Sequence, residues 1–192
     1  NPEVFEKFYH IPLDSPQQQK KFVYGLTELN REKIRGARRI ANPGCFASAT
    51  LLALHPLFEE GWIEGAVFVD TKTGSSGAGR SPGATTHHPW RSNSLFPYKP
   101  FSHQHLPEIT QALGNSDHPV IFQTYSAPFV RGIFASHYMQ LNREATAEDL
   151  ARLYQDRYGS DFFIRWVPDC PNVNSVRHSN FVDIGAAAEN GF

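Results

Sequence analysis

The stretch Asn42-Pro43-Gly44-Cys45, followed at once by an apolar run, constrains this chain more than any other. Pro43 and Gly44 stop what precedes them and impose a tight turn. Beyond the turn, apolar residues fall at 46, 49, 51, 52, 54 and 57, a spacing that predicts a largely buried helix ended by Gly61. Cys45 therefore lies at a helix mouth, where the first backbone N–H groups have no internal partner and carry partial positive charge. A thiolate is stabilised there, and its pKa is expected to fall below the free value of about 8.5. The same N–H groups can hold the oxyanion formed when sulfur attacks a carbonyl. The plainer reading is a small apolar residue at the start of a core helix.

The rest of the chain supplies a layered domain around that helix. Strands are expected over 66–74, 92–100 (broken at Pro97), 119–129, 132–141, 162–168 and 180–188, with a short strand before Pro43. Helices are expected after Asn30 as N-cap, over 106–113 with Pro107 in the first turn, and over 146–159. Thr146 and Asp149 form a capping box for the last of these. Residues 2–10 read as short and mixed, and 74–83 as a Gly/Ser-rich loop. The pattern predicts an α+β domain: a mixed, largely antiparallel sheet with helices on one face, and hairpin-like neighbours late in the chain.

Composition excludes several classes. The 192 residues carry a net charge of −1 and no long Lys/Arg run, so neither nucleic acid nor a membrane surface has electrostatic support as a partner. No apolar run approaches the ~20 residues of a membrane helix. The two cysteines, Cys45 and Cys170, are far apart, which suits free thiols in a reducing cytoplasm better than a disulfide scaffold.

A thiol nucleophile needs a base. His103, His105 and Glu108 form H-x-H-x-x-E at the start of the 106–113 helix. A helical first turn would put His105 and Glu108 on one face, where the carboxylate can orient the imidazole. His105 is the favoured base, with His103 as a substrate contact or substitute. The competing reading of so many histidines is a metal site drawing in His87 and His88. No second cysteine or carboxylate lies at ligand spacing near Cys45, so no metal is expected. The loop 74–80, GSSGAGR, could bring backbone N–H groups to an anion, but it is neither a phosphate-binding P-loop nor a dinucleotide fingerprint. Arg80 and Arg131 are candidate anion contacts. Cys170, between two prolines, has no catalytic context.

Taken together, "YGLTELNREKI", "ANPGCFASA", "SGAGR", "PYKPFSHQHLPEI" and "RGIFAS" closely resemble, in order, the N-acetyl-gamma-glutamyl-phosphate reductases of arginine biosynthesis. These belong to the superfamily of the aspartate-semialdehyde and glyceraldehyde-phosphate dehydrogenases. The resemblance implies a fold like the C-terminal domain of the latter and NADPH-dependent reduction of an acyl phosphate to an aldehyde. Cys45 would be the attacking thiolate, passing through a thioester. His105 and Glu108, with His103 nearby, would assist proton transfer. Ser76, Gly77 and Gly79 would meet the cofactor, and Asn42, Arg80 and Arg131 the substrate. Residues 1–41 would be the last elements of an N-terminal NADP-binding Rossmann-like domain, and 42–192 a catalytic domain shortened at its C-terminus. Such a fragment is expected to bind NADP poorly and turn over little. A cytoplasmic homodimer or homotetramer is implied.

Two other readings stay open. One is the lysine-pathway relative acting on an aminoadipyl phosphate. The other is an inactive domain kept as a binding or assembly module.

Overall fold

The computed structural model describes residues 2–81, 83, 86–114 and 117–192. The chain starts with two short helices, α1 (Pro2–Tyr9) and α2 (Pro16–Gln19), neither of which buries a residue. The first corrects the expectation of mixed structure over 2–10. Next comes a small β–α–β unit. Strand β1 (Val23–Tyr24) pairs in parallel with β2 (Ile40–Ala41), and α3 (Thr27–Arg35) connects them. Leu26 is the N-cap of its first turn, and Asn30, with non-helical φ −132° and ψ 22°, kinks it so that two helical pieces meet there, the second following Asn30 as expected. Its short side chain favours non-helical backbone wherever it falls.

Helix α4 (Cys45–Glu59) is the centre of the molecule. Phe46, Ala47, Leu51, Leu52, Leu54 and Leu57 are all buried in it, as its near-continuous apolar sequence requires. Each fully buried leucine contributes about 1.5–3 kcal/mol. Pro56, within the helix, has no N–H to give the Leu52 carbonyl. The Tyr158 hydroxyl donates to that carbonyl instead, at 2.9 Å. The Tyr154 hydroxyl donates to the next carbonyl, that of Ala53. Both tyrosines come from α7 (Ala147–Tyr158), whose predicted capping box between Thr146 and Asp149 is present.

A left-handed Gly61 (φ +63°) turns the chain from α4 into β3 (Ile63–Thr73). Strand β3 therefore runs back alongside α4, and its C-terminal end returns to the level of Cys45. It lies between β5 (Val120–Ser126), parallel to it, and β6 (Ile133–Leu141), antiparallel. Strand β4 (Phe96–Tyr98) adds to β5 antiparallel, giving the order β4-β5-β3-β6. The expected mixed sheet is thus present, with two of its three pairings antiparallel. The expected late hairpins are not. β5 and β6 each pair with β3 rather than with each other, and β7 (Ile164–Trp166) pairs with β8 (Val182–Ile184) in parallel. Two neighbouring apolar runs cannot reveal that a third strand has slipped between them.

Period-two alternation divides the sheet's faces. Val67, Val69, Thr71 and Thr73 are buried under α4, and Phe122, Thr124 and Ser126 of β5 share that face. On the opposite face Phe68 and its register partner Tyr138 stay 55% and 63% exposed. Two further short helices, α5 (His88–Arg91) and α6 (His105–Ala112), sit near the Cys45 end, and α8 (Val173–Val176) precedes β8. Pro82 of the predicted 74–83 loop lies outside the described residues. Among the described residues, no helix is long and apolar enough to cross a membrane.

Candidate active site

Cys45 opens α4 with Gly44 as N-cap, as the Pro-Gly turn requires, and its side chain reaches the surface as a free thiol. The backbone N–H groups of Phe46 and Cys45 bond to the sulfur and pull its pKa down. Burial is the larger influence and outweighs them, with the Glu108 carboxylate adding to it, so the thiol is pushed up from its ordinary value. This corrects the expectation of a thiol ionised by its helix alone. The protein packed beneath the sulfur desolvates the charge more than two amides compensate. At neutral pH the group is a thiol, and it needs a base.

His105, the first residue of α6, sits against that turn. A side chain on Gly44 would place its Cβ 2.3 Å from His105 Nε2, so the glycine leaves the room the imidazole occupies next to Cys45. Burial, the largest influence, lowers the His105 pKa, Glu108 opposes it, and Lys99 adds to the lowering. The ring is therefore neutral at pH 7 and free to take a proton. When Nε2 is the acceptor, Nδ1 carries the hydrogen. Nδ1 is buried and has no partner among the described residues.

Glu108 does not hold that nitrogen. Its Oε1 accepts from the Gly44 N–H at 2.8 Å and from the Tyr24 hydroxyl at 2.7 Å. The carboxylate thus pins the turn that aims Cys45, and it reaches His105 through space rather than through a hydrogen bond. Burial, then Glu108, raises the Tyr24 pKa, which keeps its proton in that bond. Tyr24 was not identified as a site residue from the sequence. It lies 84 positions from Glu108, and only the packing of β1 beside α6 brings it there.

His103 is 4% exposed and lies under the site. Its ring meets Phe46, Tyr98 and Phe122 edge-on at 5.4–5.7 Å, and its Nδ1 accepts from the His105 N–H at 3.2 Å. Burial foremost, with the charges of His105 and Lys99, lowers its pKa from 6.5 to about 3. The unfolded chain takes up a proton near pH 6.5 and the folded chain does not. Stability is therefore complete above pH 6.5 and is lost as pH falls from 6.5 towards 3. His137, lowered to about 4 by burial, acts in the same direction. Urea unfolding at pH 7 and pH 4 should differ by on the order of a few kcal/mol, and His103→Asn should flatten that slope. Equal slopes for the two proteins would show that His103 is not the source.

The loop after β3 forms a short 3-10 turn, Ser75–Ala78. Its amides are engaged within the protein. Ser75 N–H donates to the Phe129 carbonyl at 3.0 Å and Ser76 N–H to Val130 at 2.9 Å. Gly77 N–H donates to Gly74 at 3.1 Å and Gly79 N–H to Ser76 at 3.4 Å. A Cβ on Gly74 would lie 2.5 Å from the Val130 carbonyl oxygen, so the 129–132 loop is docked on this turn and carries Arg131 alongside it. These amides do not form a cradle for dinucleotide phosphates, and the phosphates do not fit here. What the loop presents is exposed surface at Ser76, Gly77, Gly79 and Arg80. Arg131 and Asn42 are exposed too. His88 Nδ1 meets the Ser75 hydroxyl at 3.0 Å. Among the described residues no three His, Cys, Asp or Glu side chains converge as a metal site would need.

The family model described as semialdehyde dehydrogenase, dimerisation domain, matches residues 45–191. An N-acetyl-gamma-glutamyl-phosphate reductase from Bacillus cytotoxicus is 39% identical over 191 residues, covering 96% of this chain and 55% of the relative. One from Methanopyrus kandleri is 41% identical over 189 residues, covering 97% and 55%. The chain thus spans about half the length of the curated relatives it matches. Among solved structures, aspartate semialdehyde dehydrogenase II from Vibrio cholerae, complexed with ASA, superposes with a TM-score of 0.61 at 18% identity. That match covers 83% of this chain and 55% of the other. The Francisella tularensis aspartate semialdehyde dehydrogenase gives 0.61 at 14% identity, over 85% and 60%. At such identities the likeness is one of fold.

Proposed function

Because the chain belongs to the semialdehyde dehydrogenase family through the dimerisation domain at residues 45–191, we propose that it performs the thiol chemistry of N-acetyl-gamma-glutamyl phosphate reduction. The observation that carries this reading is the set of three groups at the α4 mouth. The Cys45 sulfur, the amides of Cys45 and Phe46 bonded to it, and the neutral His105 ring lie against one glycine. Curated relatives named for this reaction, of whose length this chain spans about half, support the substrate.

In this mechanism His105 Nε2 takes the Cys45 proton as the sulfur attacks the acyl carbon. The two amides that steady the sulfur also face the carbonyl oxygen as it gains charge. The carbon–oxygen bond to the phosphoryl group breaks, phosphate leaves, and a thioester to Cys45 remains. NADPH, held beside Ser76, Gly77 and Gly79, would supply hydride to the thioester carbon, and the oxyanion so formed would face the same two amides. His105 then returns its proton to the sulfur as the carbon–sulfur bond breaks and the aldehyde departs. His105 is thus the acid and base, Glu108 with Tyr24 holds the turn, and His103 supports the His105 backbone. Ser76, Gly77 and Gly79 form the cofactor-facing surface, while Asn42, Arg80 and Arg131 face the substrate. The dinucleotide phosphates belong to an N-terminal domain of which residues 1–41 are the last elements, the β1–α3–β2 unit being a parallel β–α–β repeat of the kind such domains use. The outer sheet face with Phe68 and Tyr138 is the surface for a second copy, in keeping with the family's dimerisation description.

The test is NADPH oxidation with phosphate release by the enzyme that carries this chain. N-acetyl-gamma-glutamyl phosphate should be reduced. Reduction of aminoadipyl phosphate alone would move the assignment to the lysine-pathway relative, and reduction of neither would end it.

A further inference from the structure

Two sets of donors compete for the Glu108 carboxylate. Glu108 stands three residues after His105 on α6, the spacing at which side chains on a helix meet. His105 Nδ1 is buried with no partner among the described residues, so an open donor waits there when the proton is on that nitrogen. The carboxylate is turned away from it. Both of its hydrogen bonds fall on Oε1, from the Gly44 N–H at 2.8 Å and from the Tyr24 hydroxyl at 2.7 Å. An open buried N–H is costly, so the pair of bonds on Oε1 has to outweigh it. One backbone amide is a weak rival to an imidazole that turns cationic each time it takes a proton, because a bond between two charged groups is the stronger kind. The tyrosine hydroxyl supplies the difference.

Tyr24 is fixed for this task by its strand. β1 and β2 pair in parallel with Tyr24 opposite Ala41. Gly25, the next residue, donates its N–H to the Ala41 carbonyl at 2.8 Å. A Cβ on Gly25 would lie 2.6 Å from Ile40 Cγ2 and 3.0 Å from the Ala41 carbonyl oxygen, so glycine is what lets the two segments close up. β2 then runs through Asn42 into the nucleophile turn. The strand pair thus reaches Gly44 twice, by the chain itself through β2 and by side chains through Tyr24 and Glu108. Burial, then the bond to Glu108, raises the Tyr24 pKa, so the hydroxyl remains a donor.

The titratable neighbours of this set come from five segments. Besides Glu108 on α6 they are Cys45 at the mouth of α4, His103 before α6, Lys99 after β4, and Tyr24 with Tyr9 of α1. Tyr9 is raised by burial and then by the Glu108 charge, which puts it on the carboxylate's side of the site. Lys99, whose Nζ donates to Gln104 Oε1 at 2.9 Å, disfavours a proton on His105. Glu108 is the neighbour that favours one. Where Glu108 points therefore sets how firmly His105 holds its proton.

We propose that Tyr24 is a positioning residue that keeps the Glu108 carboxylate on the nucleophile turn and off His105 Nδ1. With the hydroxyl in place the turn stays aimed and the imidazole gives up its proton readily. Without it the carboxylate swings to Nδ1 and forms a hydrogen-bonded pair with the imidazolium. The consequence for turnover rests on the acyl-phosphate reading, whereas the choice of partner does not.

NMR titration of His105 in the enzyme that carries this chain tests the proposal without substrate. Tyr24→Phe, which removes one oxygen, should raise the proton affinity of His105 about tenfold, the scale of one charge-assisted bond. In a Glu108→Gln background Tyr24→Phe should leave His105 unaltered, because no carboxylate is there to be released. The acid limb of kcat/KM should move to higher pH in Tyr24→Phe by the same factor. A tyrosine with a purely structural role would lower the melting temperature and leave the titration in place. An unmoved titration in folded Tyr24→Phe, or an equal shift in the Glu108→Gln background, overturns the proposal. If Tyr24→Phe does not fold, crystals of the wild type at a pH where His105 is charged should still show Glu108 on Gly44 and Tyr24. A carboxylate moved to Nδ1 in those crystals overturns it. A shifted titration in a protein that reduces no acyl phosphate would leave the role of Tyr24 standing and remove only the proposed reaction.

Discussion

Cys45→Ala should remove acyl-phosphate-dependent NADPH oxidation by about 10⁴-fold or more, with the fold unchanged. Covalent catalysis through a thioester has no alternative route once the nucleophile is gone. The other cysteine, Cys170, is a free thiol near β8 and follows a different part of the chain, so it cannot substitute. The side chain of Cys45 reaches the surface, and its removal opens no cavity in the core formed by Phe46, Leu51 and Leu54. Loss of turnover with an unaltered melting temperature is therefore the expected pair of results. Retention of more than about a tenth of the wild-type rate would mean hydride reaches the acyl carbon without sulfur, and the thioester mechanism would fall. Cys45→Ser should be almost as severe, because an alcohol in the same desolvated place is harder to deprotonate than the thiol. The raised thiol pKa makes alkylation at neutral pH a report on burial, so turnover is the measurement that separates an enzyme from a retained binding module.

His105→Asn should lower kcat/KM by on the order of 10²–10⁴-fold, the scale of general acid–base catalysis. The raised Cys45 pKa makes this dependence stronger than an activated helix-mouth thiolate would show. Were the helix amides sufficient to ionise the sulfur, the base would be dispensable for attack. Since they are outweighed, the proton has to go somewhere, and Nε2 is the atom against Gly44. The burial-lowered pKa of His105 keeps it neutral through the physiological range, so wild-type activity falls only at acid pH as the ring takes a proton. In His105→Asn that acid limb should vanish, and activity should instead climb with pH as hydroxide replaces the imidazole. His103→Asn supplies the contrast. Its ring is sealed among Phe46, Tyr98 and Phe122, and its loss should appear mainly in stability. A larger kinetic loss for His103→Asn than for His105→Asn would exchange their roles.

The turn-and-helix signal at 42–59 was legible because it is local. Pro43, Gly44 and the leucine spacing act within a few residues of themselves, and α4 forms where they say. The capping box of α7 was legible for the same reason. Strand positions followed from the apolar pattern to within a few residues, expected over 66–74, 119–129 and 132–141 and formed over 63–73, 120–126 and 133–141. Their pairing did not, because alternation marks which face a residue takes and carries nothing about which strand lies alongside.

By itself the sequence determined that a thiol stands at the mouth of an apolar helix and that a histidine and a carboxylate begin another helix downstream. Only the tertiary structure decided what those groups do to one another. It buried Cys45 enough to keep its proton, and it gave Glu108 to Gly44 and Tyr24 instead of to His105. Protonation and hydrogen-bond partnership depend on desolvation and on distances of a few ångströms between segments dozens of residues apart, and such distances exist only once the chain has packed.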